Sequence, residues 1–230
     1  MNAILDSLVS LLNMETIEEN LFRGASQDLG FRQLFGGQVL GQALSAARQT
    51  VEPERQANSL HGYFLRPGDA SKPVVYQVER VRDGASFSTR RVMAIQNGRP
   101  IFACSASFHI EEEGFRHQIR MPNVPQPEEL ISEQEPAPQL AQLLNEEKRI
   151  KMLREKPIET RAVHTLDPLN PEKTAPIKHV WFKSNGSLPD DPALHKCLLA
   201  YTSDFGLLTT SLLPHGASIW QPQMQVASLD

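Results

Sequence analysis

Three β-rich runs separated by two hairpin signals constrain this chain more than any other feature. Residues 74–82 are followed by Asp83-Gly84, residues 85–96 by Asn97-Gly98, and residues 101–110 close the series. Asp-Gly and Asn-Gly favour type I′ turns, which need positive φ at both central residues, so an antiparallel meander is expected. Two more strands are expected upstream, a short one at 19–23 and one within 58–65. Between them lie Phe35-Gly36-Gly37 and then residues 38–50, where Val39, Leu40, Ala43, Leu44, Ala46 and Ala47 cover most of a helical circumference. Such a helix is buried on several sides. Gly41 within it costs about 1 kcal/mol of helix propensity relative to Ala, a cost tolerated where another backbone comes close. One long helix set early among about five antiparallel strands is an α+β arrangement, with the helix lying across the sheet.

Ahead of the first strand, Ile4, Leu5, Leu8, Val9, Leu11 and Leu12 are spaced as a short amphipathic helix. Asp6 and the lack of a basic start set this segment apart from a secretory signal. No apolar run approaches the roughly 20 residues of a membrane span. A net charge of −4 supplies no basic field for nucleic acid or an anionic membrane surface. Neither nucleic acid binding nor membrane insertion is therefore expected. Cys104 and Cys197 both lie in apolar runs and read as buried free thiols in a reducing compartment, which makes the protein cytoplasmic.

Residues 111–176 hold nine of the 17 prolines and read as an inter-domain connector carrying one helix, 139–154. After it the strand–helix–strand order recurs. A strand is expected at 179–183 and a helix at 193–213, with Asp191 as N-cap, Pro192 at the first helical position and Pro214 as the stop. A strand at 224–229 follows. Ser59-Leu60-His61 and Ser228-Leu229-Asp230 occupy the same place in the two halves, so two copies of one unit are expected. The expected division is 1–115 for the first copy, 116–176 for the connector and 177–230 for the N-terminal part of the second. Three more strands follow the first triplet and none follows the second, so the chain reads as shortened at its C-terminus.

Familiar nucleophile, zinc and nucleotide signatures are missing from the sequence: there is no G-x-S-x-G elbow, H-E-x-x-H pair or Walker A loop. Gly36-Gly37-Gln38-Val39-Leu40-Gly41 lacks the G-x-G-x-x-G spacing, and its glycines read first as close helix–sheet packing. A helix N-terminus at Gly37 also offers backbone N–H groups to an oxyanion. Asp204 is the most informative residue. One helical turn to either side stand Ala200, Tyr201, Leu207 and Leu208, so its carboxylate lies along an apolar stripe. An unpaired buried charge costs several kcal/mol, which leaves a functional acid, a cap on a helix break near Gly206, or a side chain reaching solvent at the margin of the stripe. Ser228, on the strand after that helix, is placed to approach Asp204. With no histidine nearby as a base, a water held between carboxylate and hydroxyl is more natural than a serine nucleophile. Asn58 and His61 are further candidates for positioning a substrate. Arg66, Arg80, Arg82, Arg90 and Arg91 suit either phosphate contacts or a solvated strand face.

Phe35-Gly36-Gly37-Gln38-Val39-Leu40-Gly41-Gln42-Ala43, Leu60-His61-Gly62-Tyr63-Phe64-Leu65-Arg66-Pro67-Gly68-Asp69 and Asp83-Gly84-Ala85-Ser86-Phe87-Ser88-Thr89-Arg90-Arg91 resemble the acyl-CoA thioesterase II family. Ala106-Ser107-Phe108 and Tyr201-Thr202-Ser203-Asp204 extend the resemblance, which runs from about Leu21 to Asp230. It implies a double hotdog, two antiparallel sheets each wrapping a long helix, with the second hotdog incomplete in this chain. It also implies hydrolysis of fatty acyl-CoA to free acid and coenzyme A by a water that an aspartate, a threonine or serine, and a glutamine orient. Asp204 matches the aspartate and Ser228 the hydroxyl residue; the glutamine belongs to a later strand and has no counterpart within these residues. Asn58 departs from the histidine common in the family. The resemblance implies a homo-oligomer acting on acyl-CoA, with no metal or organic cofactor. Two alternatives stand beside it: a non-catalytic acyl-CoA-binding or assembly module, and an enoyl-CoA hydratase or dehydratase. The latter resembles Asp-x4-His in its active helix, where this chain has Thr209.

Overall fold

The computed structural model describes residues 2–29, 33–135, 146, 149–150, 154–164, 170–218 and 228–229. They divide into two compact units. One comprises Ser7–Glu113, Pro189–Asp204 and Gln225–Asp230; the other comprises Met1–Asp6, Gly114–Leu188 and Phe205–Met224.

The first unit holds an antiparallel sheet built from β1 (Glu15–Glu18), β2 (Leu21–Gly24), β3 (Gln56–Phe64), β4 (Val74–Asp83), β5 (Phe87–Gln96), β6 (Arg99–His109) and β9 (Ser228–Leu229). Their order across the sheet is β1-β2-β4-β5-β6-β3-β9. Helix α1 (Ala3–Leu12) precedes β1, and α2 (Gly36–Arg48) lies on the sheet, touching β2 to β6. The strands turn Val74, Tyr76, Val92, Ala94, Phe102 and Phe108 into this core, each 1% exposed or less. An antiparallel sheet wrapped on a helix is the expected hotdog, and the fold is α+β. Ten of the 13 residues of α2 are buried, because α3 (Pro192–Ser203) packs along it as well. Two of the ten are glutamines, and each is satisfied. Tyr76 Oη donates to Gln42 Oε1 (2.8 Å), and Gln42 Nε2 donates to the carbonyls of Leu11 (2.7 Å) and Ala25 (2.8 Å).

The turns divide as their chemistry dictates. Asn97 (φ 50°) and Gly98 (φ 70°) form the expected hairpin turn with both central residues left-handed. Asp83-Gly84 does not. Here β4 runs through Asp83, β5 begins only at Phe87, and Gly84 N–H donates to Phe87 O (2.8 Å). The Asp83 carboxylate is drawn instead to Ser88 Oγ (2.7 Å) and to the buried Arg90 Nη2 (2.6 Å). Arg90 also donates to Thr50 Oγ1 (2.7 Å) and Thr50 O (2.9 Å), tying the chain just past α2 to the meander; it is structural rather than a phosphate ligand. The expected strand at 19–23 is a hairpin, β1 with β2, turning at Asn20 (φ 59°).

Strand β9 extends the sheet at β3, with Gly62 opposite Leu229 and Tyr63 opposite Ser228. Because Ser59-Leu60 and Ser228-Leu229 are counterparts, residue 63 faces the counterpart of 59, and residue 62 that of 60. The pairing is therefore symmetrical about position 61. Residues 224–227 of the expected last strand lie outside the described residues.

In the other unit β7 (Ile158–Ala162) pairs antiparallel with β8 (Val180–Ser184), from Ile158 opposite Ser184 to Ala162 opposite Val180. The expected connector thus supplies a strand, and the boundaries 1–115, 116–176 and 177–230 do not follow the compact units. Most of the expected helix at 139–154 lies outside the described residues. The continuous helix expected at 193–213 is two: α3 ends at Ser203, Gly206 takes φ 85°, and α4 (Leu207–Leu212) restarts beyond it. A left-handed residue cannot continue a right-handed helix, and glycine adopts that conformation without steric cost.

Candidate active site

Helix α3 starts where Asp191 Oδ1 accepts the Ala193 N–H (2.9 Å) with Pro192 in the first turn, the cap and proline expected from the sequence. Twelve residues later it delivers Asp204, its C-cap, to the N-terminus of α2. The two backbones meet without side chains between them. A Cβ on Gly37 would lie 2.2 Å from Tyr201 O, and one on Gly41 would lie 3.0 Å from Cys197 O. Both glycines serve close packing, but of helix on helix rather than the helix on sheet expected from the sequence.

The N-terminus of α2 has no cap of its own, since Phe35 stands at the N-cap with no side-chain hydrogen bond. Asp204 takes that place from another helix: Gly37 N–H donates to Asp204 Oδ2 (2.9 Å). The positive end of α2 faces a partly buried carboxylate, a favourable dipole arrangement. Burial holds the Asp204 carboxyl above its ordinary range, and the Gly37 hydrogen bond pulls it part of the way back. Asp204 is thus both the cap at a helix break and a carboxylate with heightened proton affinity.

An aromatic wall stands beside it. A Cβ on Gly36 would lie 2.7 Å from Phe64 Cζ and 2.8 Å from Asp204 Oδ2. Phe64 packs against Phe102 at 5.2 Å between centroids, and Phe35 meets Tyr201 edge-on at 5.1 Å. The register of β9 sets the Ser228 backbone opposite Tyr63, next to Phe64 in sequence. Asp204 and Gly37 thus meet at the N-terminus of α2, with the Phe64 ring beside them.

Asn58 and His61 are not gathered there. Asn58 precedes Phe64 by six residues on β3, roughly 20 Å along a strand. Its Nδ2 stands 2.9 Å from His109 Nδ1 at an exposed site. The His61 ring lies edge-on to Tyr63 at 4.9 Å, exposed to solvent. The oxyanion role expected for Gly37 is corrected as well, because its one N–H is already given to Asp204. Gly36 and Phe64 stand within the quoted motifs, but the sequence assigns neither a place at the site. Gly36 had a usable signal as half of a glycine pair at a helix start, whereas nothing in the pattern around Phe64 says which helix end its ring meets. Among the described residues no group of three or more His, Cys, Asp or Glu side chains is placed to hold a metal ion. The arrangement can accept a proton, and can hold water at a carboxylate whose affinity is raised by burial.

Two family models match the chain. Residues 26–109 match the acyl-CoA thioesterase N-terminal domain, and residues 148–230 match acyl-CoA thioesterase. The chain is 45% identical to acyl-CoA thioesterase 2 of Haemophilus influenzae, over 100% of this chain and 80% of that one. It is 40% identical to acyl-coenzyme A thioesterase 8 of Homo sapiens, over 97% of this chain and 72% of that one. Among solved structures it is similar to an acyl-CoA thioesterase II of Mycobacterium marinum, with a TM-score of 0.70 and 40% identity over 90% of this chain and 72% of that one. Sequence likeness along the whole chain and a shared backbone agree with the motifs read at the outset: the chain belongs to the acyl-CoA thioesterase II family.

Proposed function

We propose that this protein hydrolyses fatty acyl-CoA to free acid and coenzyme A, with Asp204 as the group that holds and deprotonates the attacking water. The Asp204 carboxylate, desolvated yet fixed on the Gly37 N–H, carries this reading. One carboxylate oxygen is engaged by the helix, which sets the orientation of the other. Water bound there gives a proton to Asp204 as its oxygen adds to the thioester carbonyl carbon. The C–S bond then breaks, and the proton passes from Asp204 to the departing sulfur. Ser228, the hydroxyl residue that the family resemblance implies, is the group assigned to the second hydrogen-bond position of that water.

Burial supports the base role. A carboxylate of raised proton affinity is a stronger base at neutral pH, provided it remains mostly ionised there. The reading extends to a cytoplasmic homo-oligomer. The free, buried Cys104 and Cys197 support a reducing compartment, and the family resemblance supports the assembly, which light scattering measures.

Thiol release from fatty acyl-CoA, followed with a chromogenic thiol reagent, tests the assignment. Asp204→Asn is expected to lower kcat by roughly 10²- to 10⁴-fold while the protein still unfolds cooperatively. Near-wild-type kcat in that variant would falsify the assignment, and binding of acyl-CoA without thiol release would identify a binding module instead.

A further inference from the structure

Gly36 is the hinge point of a contact that neither the helix nor the sheet makes alone. The ring of Phe64, from β3, and the carboxylate of Asp204, from the end of α3, both reach into the space a side chain at position 36 would fill. Phe64 Cζ and Asp204 Oδ2 stand no farther apart than the sum of their two distances to that point. The ring is itself braced from behind by Phe102, at 5.2 Å. Gly62, two residues earlier on β3, leaves the room that brace needs, since a Cβ there would lie 2.5 Å from Phe102 Cζ.

Resting on the reading of Asp204 just given, we propose that Phe64 is a positioning residue for the hydrolytic water, its ring shielding the Asp204 carboxylate from bulk solvent on the β3 side. A carboxylate open to solvent binds water in many poses, of which few point at a thioester carbon. A ring braced on one flank and the Gly37 N–H on the other reduce those poses. The desolvation that dominates at Asp204 is consistent with this cover. Within three residues in sequence of the contacts at Asp204, the packed elements carry Tyr201 on α3 and His61 and Tyr63, both exposed, on β3, and the first turns of α2 carry no titratable side chain. Burial and the Gly37 N–H, not these groups, set the carboxyl's shift.

The test uses the full chain labelled with carbon-13 at aspartate side-chain carboxyls. Asp204→Asn identifies the signal, and its titration is followed in wild type, Phe64→Ala and Phe64→Leu. Phe64→Ala is expected to move the Asp204 midpoint to lower pH, while Phe64→Leu, still apolar, retains more of the wild-type value. In the thiol-release assay the acidic limb of kcat/KM is expected to move the same way. The kcat of Phe64→Ala is expected to fall on the order of 10- to 100-fold. A merely structural role would lower the unfolding midpoint and leave titration and pH profile in place. An unchanged Asp204 titration in folded Phe64→Ala overturns the proposal, as does equal behaviour of the two variants. Should Phe64→Ala not fold, Phe64→Leu against wild type decides: a smaller downward move supports the proposal and no move overturns it. Full activity in Asp204→Asn defeats the function reading instead, and the titration still reports separately on Phe64.

Discussion

At Asp204 the demands of chemistry and of stability pull in opposite directions. Its folded carboxyl titrates above the unfolded one, so on raising pH the unfolded chain releases this proton first. Stability therefore falls as pH climbs through the ordinary carboxylate range and up to the folded titration point. It is unaffected below that range, where both states keep the proton. Asp204→Asn removes the conflict and leaves a side-chain oxygen for the Gly37 N–H. The variant is expected to unfold at a higher temperature than wild type at pH 7, with the gain vanishing as pH falls toward 3; calorimetry across that range checks it. A residue that weakens its own fold at working pH is what a site under functional selection retains. Sequence made this residue legible as an acid beside an apolar stripe, and made the helix break near Gly206 legible too. Its donor was not legible. Gly37 lies 167 residues away, and no local pattern reports a contact of that separation.

Between elements, two glycines separate what space forbids from what backbone geometry forbids. Gly37→Ala would press a methyl to 2.2 Å from Tyr201 O, and α2 and α3 must part to admit it. The expected loss is about 3 kcal/mol, read as a lower urea midpoint. Gly98 has nothing within 4 Å of a would-be Cβ, and its φ of +70° alone resists a side chain. Gly98→Ala is expected to cost about 1 kcal/mol in the same titration, the penalty of an L-residue in the left-handed region. The Asn97-Gly98 turn follows from local chemistry, which is why sequence alone placed it. Asp83-Gly84 carries an equally strong local signal and yields to a distant one, the pull of buried Arg90 on the Asp83 carboxylate. Strand β7 escaped notice because it is five residues long and sits in a segment dominated by prolines.

For the molecule as a whole, both thiols are withdrawn from solution. Burial pushes Cys104 and Cys197 each up to about 12, and the thiolate is the reactive form. Native protein is expected to leave a chromogenic thiol reagent uncoloured at pH 8, and denaturant to expose both cysteines. The same stoichiometry gives a direct count of unfolded chains and leaves the assay for released coenzyme A free of protein background. The duplicated plan was readable from the recurring strand–helix–strand order and a shared Ser-Leu pair, but not that the strands carrying that pair would lie edge to edge. Hydrogen bonding symmetrical about one residue is the seam two identical subunits make when they dimerise through a single strand. In this chain the partners to that seam are tethered, so its formation depends on an effective concentration set by the intervening polypeptide rather than on how much protein is present. Dilution that would dissociate a pair of half-length chains leaves the seam between β3 and β9 closed.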